Sequence, residues 1–312
     1  MSITSMWISG VKAVSHATGL SSLLAKRHAG VRILMFHEVG GEDYSTREFE
    51  RQITYVRDRY DLVSIDEALE ALATNQRHSP PKLLLTFDDG LRNHFQEVYP
   101  VLVRLVVPAV FYVCPGLIER QQWLWNHDAR ARIEALAPEA RRRFTDEAGA
   151  PDGTPLATIE WLKLLPAPRR RDVTARLQEL TPEFTPTAAQ HQRFDLMSWA
   201  ELLSLDPRLV TVGSHTLTHP ILTGLEPEEA FKEVRASRDW LEDRLKRPVQ
   251  HFCFPNGLTS PAVTASLNGI YRSAVTTVQR IARHGDDPMA LPRLSAAKQL
   301  ERLSWRLHRP TP

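Results

Sequence analysis

The sequence predicts an α/β fold built around a parallel sheet whose strands are joined by helices. Short apolar segments typical of strands alternate with longer segments that have helical periodicity. This alternation is typical of a parallel sheet with helical crossovers. A chain of 312 residues is long enough for one (β/α) barrel with an insertion, although two ordinary domains would also fit that length.

Seven segments are predicted to be strands, because each is short, rich in branched or aromatic residues, and bounded by proline, glycine or charge. These segments are residues 31–36, 61–64, 82–87, 108–114, 209–214, 250–255 and 271–277. Helical signals lie between them. The pairs Ser64–Glu67 and Ser198–Glu201 each fit a capping box, and residues 227–245 have apolar side chains at helical spacing.

Two short strings carry most of the chemical information. Asp88 and Asp89 follow an apolar run, and His215 and His219 follow another. One carboxylate and two histidines form a complete ligand set for a catalytic divalent metal with an open position. The second carboxylate is then available as a base. The alternative is a solvated aspartate in a turn and a pair of surface histidines.

These strings resemble the first two motifs of the polysaccharide deacetylase family, also called carbohydrate esterase family four. The string Phe252–Gly257 is similar to the proline-containing loop of that family, and Ile33–Val39 resembles the opening strand of its bacterial branch. The resemblance covers roughly residues 31–116 and 196–295. It implies a distorted (β/α)7 barrel, whose active site lies at the carboxyl ends of the strands.

The chain divides into four parts on this basis. We expect an N-terminal helical segment at residues 1–30, the barrel at 31–116 and 196–300, and a tail at 301–312. Residues 117–195 are predicted to be a mostly helical insertion that emerges on the catalytic face. Their tryptophans and arginine triples indicate a lid or a saccharide-binding wall, or alternatively core tryptophans and solvated arginines.

The resemblance assigns metal ligation to Asp89, together with His215 and His219, and the role of general base to Asp88. Neighbouring residues of a strand point to opposite faces, so the two aspartates are not equivalent ligands. We expect one divalent metal, with zinc favoured, although iron, cobalt or nickel would also suit these ligands.

Three further roles follow from the resemblance. In the family, the N–H after the proline of the third motif binds the oxyanion. Here the residue after the proline is Asn256, and Pro255 itself has no N–H to donate. The family's C-terminal Leu-x-His motif, which often supplies the general acid, is absent from this sequence. The bacterial branch implies His37 in that role, with His284 as the alternative.

Arg293 is expected to orient Asp88, in place of the arginine that many members carry in the third motif. The alternative is a surface arginine.

The expected reaction is removal of an N-acetyl group from an amino sugar of a poly- or oligosaccharide. Deformylation or deacetylation of a lipid-linked amino sugar remains open, as does a non-catalytic carbohydrate-binding relative.

The net charge gives no indication of a nucleic-acid partner, and the pattern of apolar segments gives an expected location. A formal net charge of +2 does not indicate nucleic-acid binding. We recognise neither a signal peptide nor an apolar run of membrane-spanning length, so a cytoplasmic location is expected. Residues 3–28 could form a helix packed on the barrel or a peripheral membrane contact. Cys114 and Cys253 are expected to be core residues without a disulfide.

Overall fold

The computed structural model describes residues 29–41, 44–151 and 154–308. The predicted membrane contact and nearly all of the predicted N-terminal helical segment lie outside these residues. Both therefore stay predictions. No helix of the described part of the chain is both long enough and apolar enough to cross a bilayer.

All seven predicted strands are present, with ends that differ from the prediction by at most two residues. The strands are β1 (Arg32–Phe36), β2 (Asp61–Leu62), β3 (Lys82–Phe87), β4 (Ala109–Val113), β5 (Val210–Ser214), β6 (His251–Cys253), β7 (Ser273–Val275) and β8 (Leu294–Ser295). The short strand β8 was not predicted. All pairings between these strands are parallel.

The strand order confirms the predicted distorted (β/α)7 barrel. The order is β7-β6-β5-β4-β3-β1-β8, and β2 pairs with the first residues of β3. Leu291 bridges to Val275 of β7, while Leu294 pairs with Leu34 of β1. One short segment therefore contacts strands from both ends of the sheet, which curls the sheet into an incomplete barrel.

Thirteen α-helices of the described residues surround the sheet or extend from it. They are α1 (Thr46–Arg57), α2 (Ile65–Ala73), α3 (Tyr99–Leu105), α4 (Pro115–Arg120), α5 (Trp125–Ala135), α6 (Pro138–Ala148), α7 (Pro155–Leu164), α8 (Ala167–Leu180), α9 (Ala188–Phe194), α10 (Trp199–Leu203), α11 (Pro227–Leu245), α12 (Pro261–Ala265) and α13 (Leu300–His308). The predicted capping boxes begin α2 and α10, and α11 spans the predicted range.

The described part of the predicted tail, residues 301–308, is helical and packed. Residues 301–308 continue helix α13, and Leu303 and Leu307 are fully buried against the barrel core. Apolar side chains four residues apart lie on one face of a helix, so this segment has a stripe that packing can bury.

Side chains that alternate along the central strands enter two different cores. Leu85 and Phe111 join a large cluster that includes the surrounding helices, whereas Leu84 and Val110 join a smaller cluster. The smaller cluster also contains Val275 of β7. Side chains from strands so far apart in the order can meet only on the concave side of the curled sheet. A sheet buried on both faces is typical of parallel strands.

Helices α5 to α9 occupy the stretch in which the insertion was predicted. Four of them, α5 to α8, contribute to a separate small core, which includes Ile133, Phe144, Leu162 and Val173. Trp125 and Trp161 pack against this core without being fully buried. The first turn of α5 lies at the carboxyl ends of the barrel strands, where it enters the site described next.

Candidate active site

The two histidines lie in the loop that follows β5. His215 comes directly after the last residue of this strand, and its Nδ1 lies 2.7 Å from the carbonyl oxygen of Cys253 in β6. A carbonyl only accepts hydrogen bonds, so the proton of a neutral His215 ring lies on Nδ1 and Nε2 keeps its lone pair. This contact fixes the ring so that Nε2 faces Asp89, as expected for a metal-ligating histidine.

Both aspartates reach the same cavity because the backbone turns sharply after β3. Asp89 has φ +75° and Gly90 has φ +69°, both in the left-handed region. Aspartate tolerates this region better than most residues, and glycine adopts it freely. A Cβ at position 90 would also come within 3.0 Å of Val113. Along a regular strand, the two carboxylates would point to opposite faces. The turn brings both of them to the same cavity.

Asp89, His215 and His219 form a compact group of possible metal ligands. Asp89 Oδ1 lies 3.4 Å from Nε2 of His215 and 3.4 Å from Nε2 of His219. One ligand atom from each residue lies within 4.8 Å of the other two, and all three residues are buried. One carboxylate oxygen and two imidazole nitrogens are a donor set that suits a divalent ion.

Asp89 and His219 have the protonation that a metal site requires, whereas His215 does not. Burial lowers the pKa of His215, but Cys253 and the carboxylates of Asp89 and Asp88 outweigh burial and raise the pKa well above its usual value, so a metal would have to displace a proton from this ring. Burial raises the pKa of Asp89, but the hydrogen bond that a protonated His215 donates and the charges that nearby histidines carry when protonated outweigh burial and hold the pKa well below its usual value. Burial and the neighbouring His215 lower the pKa of His219 to about 3. At neutral pH, Asp89 is therefore a carboxylate and His219 is a neutral imidazole, the forms that bind metals.

The loop that carries the histidines is held from two sides. Glu233 of α11 accepts hydrogen bonds from the N–H and the hydroxyl of Thr218, at 2.9 and 2.7 Å. Trp125 of α5 donates its indole N–H to the carbonyl of His219 at 3.2 Å. Thr216 and His219 have φ values of +67° and +60°, so these contacts stabilise a strained backbone.

Asp88 forms a buried bidentate ion pair with Arg293. The guanidinium donates to both carboxylate oxygens at 2.7 Å and to the Thr276 carbonyl at 2.9 Å. Arg293 is fully buried, which rules out the surface alternative. Burial raises the pKa of Asp88, but the charge and hydrogen bonds of Arg293 outweigh it and lower the pKa to about 2. Asp88 is thus ionised and fixed in orientation, at some loss of basicity.

His37 lies at the rim of the site, after β1. Its Nε2 is 4.0 Å from Oδ2 of Asp88, and its side chain is 49% exposed. The buried His94 contacts the carbonyl oxygen of His37 with Nε2 at 2.9 Å and so fixes this part of the backbone. The alternative acid, His284, contacts the Leu72 carbonyl and is not among the residues that line the catalytic cavity.

The third motif forms a tight turn beside the cavity. Asn256 has φ +56° and Gly257 has φ +65°. A Cβ at position 257 would lie 2.2 Å from the hydroxyl oxygen of Thr277, so glycine is required here. The N–H groups of Gly257 and Leu258 donate to carbonyls of the same turn. No hydrogen bond from the Asn256 N–H to another described residue is present.

These residues surround a cavity of about 200 Å³. Its walls contain every predicted site residue except Pro255 and Arg293, and Arg293 is hydrogen-bonded to the lining residue Asp88. The lining residues are His37, Glu38, Asp88, Asp89, Asn126, His127, Lys163, His215, His219, Asn256, Gly257 and Thr277. The insertion supplies Asn126, His127 and Lys163, which the sequence analysis missed. No spacing or motif marks these three residues, and only the tryptophans and arginine triples of residues 117–195 drew attention to this stretch.

The buried ring of His94 predicts a loss of stability in mild acid. Burial lowers the pKa of His94 to about 4, so the folded chain binds its proton less readily than an unfolded chain does. The uncharged ring of His94 therefore contributes stability to the folded chain above the usual histidine pKa near 6.5, and this stability is lost as the pH falls towards 4. We expect it to amount to about 3 kcal/mol of the free energy of unfolding.

Urea unfolding at several pH values between about 7 and 4 checks this expectation. Other groups titrate in the same range, so the informative quantity is the difference in the free energy of unfolding between the unaltered chain and His94→Gln at each pH. Glutamine keeps an N–H donor but does not titrate. The variant should lose less stability on acidification. An identical acid slope for both proteins would assign the effect elsewhere.

Comparison with known proteins agrees with the fold. A family model described as polysaccharide deacetylase matches residues 75–149 and 172–271, which is more than half of the chain. The chain belongs to the polysaccharide deacetylase family. The family is named for deacetylases, which are hydrolases that act on amide bonds. Proteins of this family are generally metal-dependent, and the chain has a buried group of candidate metal ligands.

A curated relative shares part of the sequence. YxkH of Bacillus subtilis (strain 168), a protein named for the polysaccharide deacetylases, is 28% identical over 92 residues. The match covers 28% of this chain and 33% of YxkH. The chain therefore spans about a third of the length of this relative.

Two solved structures share the fold at low sequence identity. The deacetylase PplD of Streptococcus pyogenes, solved in complex with acetate, superposes with a TM-score of 0.61 and 17% identity, covering 91% of this chain and 99% of PplD. IcaB of Ammonifex degensii gives a TM-score of 0.60 and 18% identity, covering 89% of this chain and 98% of IcaB. At this level of identity, the likeness supports the fold alone.

Proposed function

We propose that this chain removes acetyl groups from N-acetylated amino sugars of a poly- or oligosaccharide, by metal-dependent hydrolysis. The observation that carries the proposal is the buried convergence of Asp89, His215 and His219 beside a separate carboxylate, Asp88, that Arg293 holds ionised. A solvated turn or a surface histidine pair would not be buried in this way.

A metal fits the donor set, which would hold it through Asp89 Oδ1 and the Nε2 atoms of His215 and His219. When bound, a divalent ion supplies Lewis acidity and lowers the pKa of a water to about 7. Zinc is the first expectation, and iron, cobalt or nickel would suit the same ligands.

The remaining groups have distinct roles in this proposal. Asp88 accepts a proton from the attacking water, whose oxygen bonds to the acetyl carbon. The Asn256 N–H donates to the carbonyl oxygen as that oxygen gains negative charge. The C–N bond then breaks, and His37 supplies the proton that the leaving amine requires. The products are acetate and a free amino sugar.

The size of the cavity suits a small acyl group better than a sugar chain. About 200 Å³ is below the usual range of 300–1,000 Å³ for ligand pockets. A neighbouring groove of about 450 Å³ shares His37 and Glu38 with the cavity and is also lined by Arg130 and Arg193. In the proposed binding mode, the acetamido group enters the cavity and the saccharide extends along this groove.

Two buried amide groups are available for the substrate. The Asn126 side-chain oxygen and the Asn256 side-chain nitrogen are buried and have no hydrogen-bond partner among the described residues. Both side chains line the cavity. Because unpaired buried polar groups are unfavourable, these amides are suited to bind hydroxyl or acetamido groups of a sugar.

The proposed function is tested by measuring acetate and formate released from a panel of substrates. The panel contains N-acetylated and N-formylated oligosaccharides, chitin and peptidoglycan fragments, and a lipid-linked N-acyl amino sugar. We expect acetate from at least one soluble oligosaccharide. Saccharide binding without release of any acid would instead support a non-catalytic carbohydrate-binding protein.

His37→Ala should impair amide hydrolysis far more than ester hydrolysis. An amine leaves poorly unless it is protonated, whereas an activated phenyl ester leaves without an acid. We expect a loss of about 10²- to 10⁴-fold for the amide and a much smaller loss for the ester. His284→Ala is the matched control, because His284 lies outside the cavity. Equal losses for both substrates, or no loss for either, would contradict an acid role for His37.

A further inference from the structure

His127 is a residue of the site that the family motifs do not account for. It lies in the first helical turn of α5, within the predicted insertion, and is only 8% exposed. Its Nε2 is 3.7 Å from Oδ2 of Asp89. The other oxygen of the same carboxylate, Oδ1, faces His215 and His219. The two oxygens of Asp89 therefore have different neighbours.

The imidazole of His127 is held in place by the insertion itself. It stacks on Phe194 of α9, with ring centroids 4.7 Å apart and an interplanar angle of 26°. Two residues earlier, Trp125 donates to the His219 carbonyl. The start of α5 thus contacts two of the three candidate metal ligands.

The surroundings of the ring favour a proton on Nε2. A neutral imidazole carries one N–H, and Nδ1 of His127 is buried with no hydrogen-bond partner among the described residues. A proton on Nδ1 would leave a buried donor unpaired and would place the Nε2 lone pair beside a carboxylate. A proton on Nε2 faces Oδ2 of Asp89 instead.

His127 is less suited to be a metal ligand itself. Among the described residues, two groups have ligand atoms that all lie within 4.8 Å of one another, and neither includes His127; the groups are Asp89, His215 and His219, and Asp88, His215 and Cys253. The separation of 3.7 Å from Asp89 is longer than a hydrogen bond, but a small side-chain rotation would close it.

We propose that His127 is a positioning residue for the metal site, whose Nε2–H donates to Oδ2 of Asp89 and so presents Oδ1 to the cation. This inference rests on the proposed metal-dependent function. It gives the insertion a role in metal binding, in addition to any role as a lid or saccharide-binding wall. Partners of this kind typically change metal affinity by about 10- to 100-fold.

The test compares two substitutions of His127 that differ in one property. His127→Phe keeps a ring against Phe194 but has no donor, whereas His127→Gln retains an N–H at a similar reach. His191→Phe is the control, because His191 is a half-exposed histidine of the insertion that does not line the cavity. Replacing residues 117–195 as a whole would be uninformative, since it removes Trp125 and His127 together.

Zinc affinity is measured by competition with a chromophoric chelator, and folding is checked by the thermal midpoint. We expect His127→Phe to bind zinc at least about 10-fold more weakly, and His127→Gln and His191→Phe to remain close to the unaltered chain. Unchanged affinity in His127→Phe would overturn the inference while leaving the proposed function intact. An equal loss in both His127 variants would also overturn the inference. It would indicate that the His127 imidazole binds the metal itself, a role that the N–H of glutamine cannot replace. No zinc binding by the unaltered chain would overturn both proposals.

Discussion

Asp88→Asn is expected to lower amide hydrolysis by about 10²- to 10⁴-fold while the protein still binds its metal. Asparagine has nearly the same shape as aspartate but cannot accept a proton from water at neutral pH. Metal should remain, because both carboxylate oxygens of Asp88 accept hydrogen bonds from Arg293 and Asp88 is not a member of the group Asp89, His215 and His219. Asp88 does belong to a second compact group, with His215 and Cys253, so metal content must be measured and not assumed. The measurement is acetate release together with metal content of the same sample.

The structure adds a second expectation for this variant. Removing the carboxylate leaves the fully buried guanidinium of Arg293 without its counter-charge. Breaking a buried ion pair in this way typically lowers the free energy of unfolding by about 3–5 kcal/mol. Activity should therefore be measured well below the thermal midpoint of the variant.

Asp206→Asn is the matched control for Asp88→Asn. Asp206 also pairs with an arginine, Arg208, but this pair lies at the surface, where ion pairs contribute little. The control should keep both its activity and its stability. Near-normal turnover by Asp88→Asn would exclude the base role, and loss of metal from it would show that Asp88 is a ligand.

His215→Ala should abolish stoichiometric metal binding, and hydrolysis with it. The substitution removes one of the three proposed ligands and also the contact with the Cys253 carbonyl that orients the ring. Since loss of a supporting contact alone costs about 10- to 100-fold in metal affinity, loss of a ligand should cost more. Metal content after dialysis measures the effect directly.

His251→Ala provides a comparison with the same change of residue. His251 is a buried histidine of the neighbouring strand β6, and its Nδ1 contacts the Ser273 hydroxyl rather than the candidate ligands. This variant should retain its metal. If His215→Ala retained metal as fully as His251→Ala does, the assignment of ligands would be wrong.

Much of the barrel could be predicted from local sequence. Segments such as 82–87 are short, apolar and bounded by polar or charged residues, so burial on both faces of a sheet is the arrangement that suits them. Strand β8 was missed because a two-residue pairing depends on a neighbouring strand and leaves no periodicity. Helix α13 was assigned to a tail, although Leu303 and Leu307 already had helical spacing.

The candidate site was only partly predictable. The motifs gave Asp88, Asp89, His215 and His219, and the structure brings all four to one cavity. Strand alternation alone would separate the two aspartates, and the positive φ of Asp89 was not foreseen. His127 was missed for a different reason: its place beside Asp89 depends on how α5 packs against the barrel, and tertiary contacts of this kind have no local sequence pattern.

The central claim is that one metal, held by Asp89, His215 and His219, is required for release of acetate from a saccharide. The most direct test is a zinc titration of metal-free protein, with acetate release from an N-acetylated oligosaccharide followed at each step. We predict no release without metal, and a rise in proportion to zinc that ends at one equivalent. Full acetate release from the metal-free protein, or no release after one equivalent of zinc has bound, would contradict the account.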